Sequence, residues 1–287
     1  MAAEVSEEDP GMSQDMTTLI NPMDFDQLRE SYRNARPFPF VCVDNFLQQD
    51  FARQVVAQYP SFEEAGRLGR KFDAVNERLK VQITDADVFP PAVRALSDLL
   101  ASSWWLTKLE SITGVQSLLS DASLSGGGIH VTGSGGRLDV HVDFNVFGEQ
   151  RWHRRLNVLL YLNQDWSPEW GGNLELWNDS VSKCWHSFSP LFNRLVLFET
   201  SEISFHGVTP VTGPKEVLRK SFAAYYYTDT APADWNGRSH STIFRARPDE
   251  RFRRWVSMPL ERQINRAKIF KNKLGRRLRG VQDPQNL

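Results

Sequence analysis

The stretch Asp139-Val140-His141-Val142-Asp143-Phe144 sets an imidazole and a carboxylate two residues apart. In a strand, residues two apart face the same side, so His141 and Asp143 can aim at one point. Alone, a His-x-Asp pair is weak ground, because a histidine bonded to a neighbouring aspartate at a strand end gives the same pattern. A third donor must come from another strand, and Phe205-His206-Gly207 supplies His206 in a late one. Two imidazoles and one carboxylate on one face of an octahedral ion leave three positions open. That donor set suits iron(II) when a bidentate ligand and dioxygen must both reach it. The other histidines are weaker candidates. His153, in the polar run QRWHRR, reads as an exposed loop residue; His186 lies in an apolar strand with no carboxylate near it in sequence; His240, in GRSHST, reads as a loop residue.

An organic diacid chelating that ion needs a cation for its far carboxylate, and the planar fork of arginine pairs with both oxygens. In VLRKSFAAYYYT, Val217 to Thr228, Arg219 and Ser221 share one strand face and Tyr225 continues it. An arginine in the middle of an apolar strand demands a partner. In RLNVLLYLN, Asn157, Leu159 and Tyr161 share a face, so the Tyr161 hydroxyl could add a second donor and Asn157 joins the candidate cosubstrate contacts. The competing reading is a sheet-core strand with tyrosine hydroxyls at its rim.

These residues need strands to hold them. From SGGGIHVTGSGGRL at Ser125 to about Thr228, short alternating or apolar runs are separated by Gly, Pro, Asn and Asp. The runs predict strands over Gly128–Thr132, Asp139–Phe144, Arg155–Leu162, Asn173–Trp177, Lys183–Phe188, Arg194–Phe198, Ile203–Gly207 and Val217–Thr228. Short strands at this spacing point to a double-sheet jelly roll or a barrel. Upstream, Met23–Arg33 and Leu47–Tyr59 have helical periodicity, Pro37–Phe46 reads as a strand, and the Pro90-Pro91 pair opens two helices reaching about Ile112. Helices followed by strands give an α+β layout with the helices packed on one sheet. The expected divisions are a disordered acidic leader over 1–20, helical support with a strand over 21–120, the jelly-roll core over 121–232 and a basic extension over 233–287. Phe72 to Asp85, read as a loop, and the aromatic stretch Trp166 to Trp170 are candidate covers for the site.

A chain of 287 residues can bury a sizeable core, and its 24% charged content is that of an ordinary globular protein. A net charge of -1 gives no overall attraction to nucleic acid or to an anionic membrane. Two cysteines, Cys42 and Cys184, cannot build a disulfide framework, so a reducing cytoplasm is the expected compartment. No apolar run approaches the roughly 18 residues of a membrane span. From Arg251 the tail carries many cations, and Leu260, Ile264, Ala267, Leu274 and Leu278 fall between them at helical spacing. Such a basic amphipathic helix could dock an acidic partner, or could pack its apolar stripe on the domain with its charges solvated.

Taken together, GGGIHVTGSGGRLDVHVDFN, RRLNVLLYLNQDW, WGGNLELW, NRLVLFETSEISFHGVTPV and RKSFAAYYYT resemble the iron(II)/2-oxoglutarate-dependent dioxygenase superfamily in its prolyl-4-hydroxylase-like branch. PFPFVCVDNFL also resembles the opening strand of that family. The resemblance implies a double-stranded β-helix core, with iron(II) held by His141, Asp143 and His206. It implies a salt bridge from Arg219 to the C5 carboxylate of 2-oxoglutarate, with Ser221 as small polar partner and Tyr161 as a further donor. It also implies hydroxylation of an unactivated C–H bond with O2, release of succinate and CO2, and ascorbate as an auxiliary reductant. Asp143 favours hydroxylation over halogenation, because related halogenases carry a small residue there. The chain departs from the pattern in two places. The insert TGPKEV lengthens the gap between His206 and Arg219 and brings Lys215 into contention, and His130-Val131 stands where relatives have a second tyrosine, making His130 a substitute donor. The acceptor implied is a prolyl residue in a protein or peptide; a free amino acid, a carrier-bound intermediate or a saccharide are the alternatives. A catalytically inactive jelly-roll binding protein and a cupin-type metal enzyme are the readings from other classes.

Overall fold

The computed structural model describes residues 16–250. The tail from Arg251, with the basic helix expected there, lies outside the described residues, as do the first fifteen positions. Met16–Leu19 form a 3-10 turn, and Ile20 is buried and bridged to Leu47.

Five helices precede most of the sheet: α1 (Phe25–Asn34), α2 (Gln49–Ala57), α3 (Phe62–Leu68), α4 (Pro91–Ala101) and α5 (Ser103–Thr113). Their starts follow local chemistry. Asp24 accepts from the backbone N–H groups of Asp26 and Gln27, Ser61 and Glu64 close a capping box, and Pro91 opens α4 where its missing N–H costs nothing. None of the helices among the described residues is long and apolar enough to cross a membrane. Leu96, Leu99, Leu100 and Trp105 share one apolar cluster with the sheet residues Leu156, Val158, Phe222 and Tyr226. Trp105 donates its indole N–H to the Tyr226 hydroxyl (3.0 Å), which donates to the Leu100 carbonyl (2.8 Å), so the polar tips of this seam are satisfied. Each leucine fully buried here contributes about 1.5–3 kcal/mol.

The eight strands of the main path are β1 (Phe40–Val43), β2 (Gly128–Val142), β3 (Trp152–Tyr161), β4 (Leu174–Trp177), β5 (Cys184–Phe188), β6 (Arg194–Glu199), β7 (His206–Val208) and β8 (Arg219–Thr228). Their order is β1-β6-β3-β8-β2-β7-β4-β5, and all pairs are antiparallel. The sheet curls about β2. Its first half pairs with β8 (Ser221 opposite His130), while its second half pairs with β7 (His206 opposite His141). One strand thereby brings the cosubstrate strand and the second histidine strand to the same interior. This curled antiparallel sheet with its five helices is consistent with a jelly roll.

Three expectations change. Gly128–Thr132 and Asp139–Phe144 are one strand, not two, because Glu77–Ile83 pairs across the glycine-rich run between them. The register there jumps from Lys80 opposite Thr132 to Arg78 opposite Arg137, so a bulge absorbs residues that read as a turn. Phe72 to Asp85 is not a loop: Arg70–Phe72 and Glu77–Ile83 form a hairpin whose second strand joins the sheet. The late strands also start further along, at His206 and Arg219.

Candidate metal and cosubstrate site

His141 on β2 and His206 on β7 are directly opposite residues, with ring centroids 4.3 Å apart. Each Nδ1 lies against a backbone carbonyl two residues earlier, Asp139 at 2.8 Å and Ser204 at 2.9 Å. A carbonyl only accepts, so Nδ1 carries the proton and each Nε2 lone pair faces inward, as a metal ligand requires. Asp143 sits just past the end of β2, with Oδ1 3.5 Å from His141 Nε2 and Oδ2 3.5 Å from His206 Nε2. One donor atom from each residue falls within 4.8 Å of the others, which fits a single ion. Burial, with His141 close by, holds the His206 imidazole down to about 4, so it stays neutral and able to ligate. Burial opposes the charge of Asp143, but Arg154 and the two imidazoles outweigh it and hold the carboxyl well below its usual range.

Arg154 was not visible as a functional residue in the sequence. Its Nη2 lies 3.1 Å from Asp143 Oδ2, and its Nε and Nη2 donate to Asn157 Oδ1 at 3.0 and 2.8 Å. Asn157 in turn donates from Nδ2 to Asp143 Oδ2 at 2.8 Å. Asn157 was expected on the cosubstrate; the structure binds its amide to Asp143 and Arg154 instead. The guanidinium is stacked 3.6 Å from the Tyr225 ring centroid and 4.8 Å from that of Phe144.

At the other end, Arg219 is buried in β8, and Nε donates to the Gly172 carbonyl at 2.6 Å. Gly172 has φ +67, and a Cβ there would meet Arg219 Cδ at 3.0 Å, so glycine is what lets the backbone come so close. Nη1 has only a long contact of 3.4 Å to Ser221 Oγ, and the guanidinium carbon lies 4.9 Å from the Tyr161 ring centroid. Among the described residues no carboxylate pairs with Arg219, and burial lowers its pKa. The Tyr161 hydroxyl is fully buried beside the Arg219 guanidinium but makes no well-formed hydrogen bond, and burial pushes it up to about 12. A lone buried guanidinium beside an unsatisfied hydroxyl is a set that a ligand carboxylate would complete. Lys215 is exposed in its loop, whereas Arg219 is the buried cation beside Ser221 and Tyr161.

One cavity is lined by the His141, Asp143 and His206 donors and by Arg219, Ser221 and His130. His130 is buried there with Nε2 3.0 Å from the Gly126 carbonyl. Lys80, Arg137 and Tyr225 also line it, and only the Tyr225 position was visible from strand alternation. The remaining histidines lie outside this cavity. His153 is buried in β3 with its ring 4.6 Å from that of Trp235, not exposed in a loop, because the run QRWHRR enters the strand. His186 contacts the Arg36 carbonyl on the outer strand β5, and His240 contacts Glu202. Trp166 and Trp170 pack edge to face, and Trp166 donates to the Gly171 carbonyl at 3.1 Å, buttressing the glycine shelf under Arg219.

Residues 127–227 match the 2OG-Fe(II) oxygenase superfamily, a span that contains every residue of this cavity except Lys80. This segment is a 2OG-Fe(II) oxygenase domain. Prolyl 3-hydroxylase OGFOD1 of Mus musculus is 35% identical over 78 residues, which are 26% of this chain but only 14% of that protein. The chain shares its fold with two solved structures at 19% identity. A Trichoplax adhaerens prolyl hydroxylase, solved with a hypoxia-inducible-factor peptide, has a TM-score of 0.51 over 71% of this chain and 91% of its own. A Phytophthora capsici prolyl 4-hydroxylase has a TM-score of 0.51 over 78% and 68%.

Proposed function

We propose that the chain is an iron(II)- and 2-oxoglutarate-dependent oxygenase that hydroxylates an unactivated C–H bond of a prolyl residue in a protein or peptide. The observation that carries this reading is the single cavity joining a two-histidine, one-carboxylate donor set to a buried arginine with no resident acid. The set fits iron(II), since both Nδ1 atoms are engaged by backbone carbonyls, both Nε2 atoms face Asp143, and Asp143 is held ionised. His141, Asp143 and His206 would hold the metal. Arg219 would pair with the far carboxylate of 2-oxoglutarate, with Ser221 and Tyr161 as neighbouring donors, while His130, its Nε2–H used on the Gly126 carbonyl, lines the cavity without a proton to give. When bound, the metal with 2-oxoglutarate and dioxygen supplies the oxidising power for C–H cleavage, with succinate and carbon dioxide released.

The protein's own work is placement. Backbone carbonyls fix the tautomers of both histidines, Gly172 and Ser221 fix the arginine fork, and the apolar cluster on the helix side of β3 and β8 anchors the strands that carry it. The prolyl acceptor is supported by the named relatives, which are prolyl hydroxylases. A cytoplasmic setting is supported by the two free cysteines. The test is succinate formation from 2-oxoglutarate with iron(II), alongside a mass screen for gain of one oxygen on proline-containing peptides. Iron-dependent succinate with an oxidised prolyl product is the expected outcome; no turnover with any acceptor would remove the reading.

A further inference from the structure

Asp143 has two chemically equivalent oxygens, yet the protein treats them differently. Each oxygen lies 3.5 Å from a histidine Nε2, Oδ1 from His141 and Oδ2 from His206, but only Oδ2 also accepts from Asn157 Nδ2 at 2.8 Å and faces Arg154 Nη2 at 3.1 Å. The donors are arranged in a polar relay. The Arg154 fork only donates, so it holds Asn157 with its oxygen toward the guanidinium, at 3.0 and 2.8 Å. That fixes the amide with its NH2 toward Asp143. Arg154 itself packs against the rings of Tyr225 and Phe144. Arg154 and Asn157 are buried, with relative exposures of 4% and 2%, so water does not compete for these bonds.

We infer that Arg154, acting through Asn157, is a positioning device that ties down Oδ2 and commits Oδ1 of Asp143 to the metal as a single-oxygen ligand. This rests on the metal reading given above. The role is orientation of a ligand, and a simple charge effect would have the opposite sign. A cation next to a metal site weakens metal binding by repulsion, so a guanidinium present only for its charge would lower affinity. One present to orient Asp143 raises it. Asn157 carries no charge and isolates the orienting effect.

The test uses Mn(II), which accepts the same nitrogen and oxygen donors, titrated calorimetrically into the full chain after chelator treatment. Asn157→Ala is expected to weaken Mn(II) binding about tenfold or more, the loss that changes behind a metal ligand usually bring. Arg154→Lys keeps the charge and loses the fork, and is expected to weaken binding as well. Circular dichroism of both variants establishes that they are folded, and two substitutions of different severity keep one available if the other is not. Unchanged or tighter Mn(II) binding in a folded Asn157→Ala protein, or full retention by Arg154→Lys, overturns the positioning role. If the unaltered chain binds no Mn(II), the metal reading fails and this inference with it; if it binds and the variants match it, only the inference fails.

Discussion

Arg154 and Arg219 are both buried in the interior of the same curled sheet, but their surroundings differ in one respect. Arg154 has a resident carboxylate: burial works against its charge, and Asp143 more than compensates, leaving its pKa raised. Arg219 has none among the described residues, and burial leaves its pKa lowered. A buried charge with its partner built in is part of the framework. A buried charge held ready by a glycine carbonyl, a long contact to Ser221 and an unsatisfied tyrosine hydroxyl is a place where a partner arrives. The difference separates the metal end of the cavity from its cosubstrate end.

The largest effect falls on the metal end. Asp143→Ala removes the carboxylate that joins both histidines to Arg154 and is expected to abolish hydroxylation, read as loss of iron-dependent succinate. Full activity in that variant would remove the ligand assignment. Next comes stability without cosubstrate. Arg154→Met leaves Asp143 buried without its cation and is expected to cost about 3–5 kcal/mol in denaturant unfolding. Arg219→Met removes an unpaired buried charge and is expected to leave stability unchanged or raised. Equal losses in the two variants would erase the distinction between them. Adding 2-oxoglutarate with Mn(II), at a hundred times its dissociation constant, should stabilise the unaltered chain by about 2.7 kcal/mol. The same concentration should do little for Arg219→Met, and an equal shift there would mean that the ligand binds elsewhere. The smallest effect is expected from Tyr161→Phe. One hydrogen bond to a charged ligand contributes about 1.5–3 kcal/mol, so 2-oxoglutarate affinity should fall roughly ten- to a hundredfold while Mn(II) affinity holds.

Much of this was legible before any fold. Strand alternation alone put His141 beside Asp143 and Arg219 beside Ser221, because a two-residue period survives whatever the strand packs against. What alternation could not show was anything that depended on a bulge. Between Tyr226 and Tyr227 the pairing with β3 slips from Leu156 to Arg154, which skips Arg155 and turns Arg154 toward Asp143. In sequence the run QRWHRR has the polarity of a loop, so Arg154 and the burial of His153 were both hidden. The glycines of β2 misled in the same way: they read as a turn until Glu77–Ile83 supplied the partner that carries the strand through them. Asn157 was correctly placed on the interior face, but only its neighbours decide which end of the cavity its amide serves.

Calorimetry of 2-oxoglutarate binding, with and without Mn(II), on the unaltered chain and on Arg219→Gln, bears most directly on the two-ended site. Binding that requires the metal and weakens about a hundredfold in Arg219→Gln, equivalent to about 2.8 kcal/mol, is the expected result. Binding that is indifferent to the metal, or that survives the loss of Arg219, would contradict it.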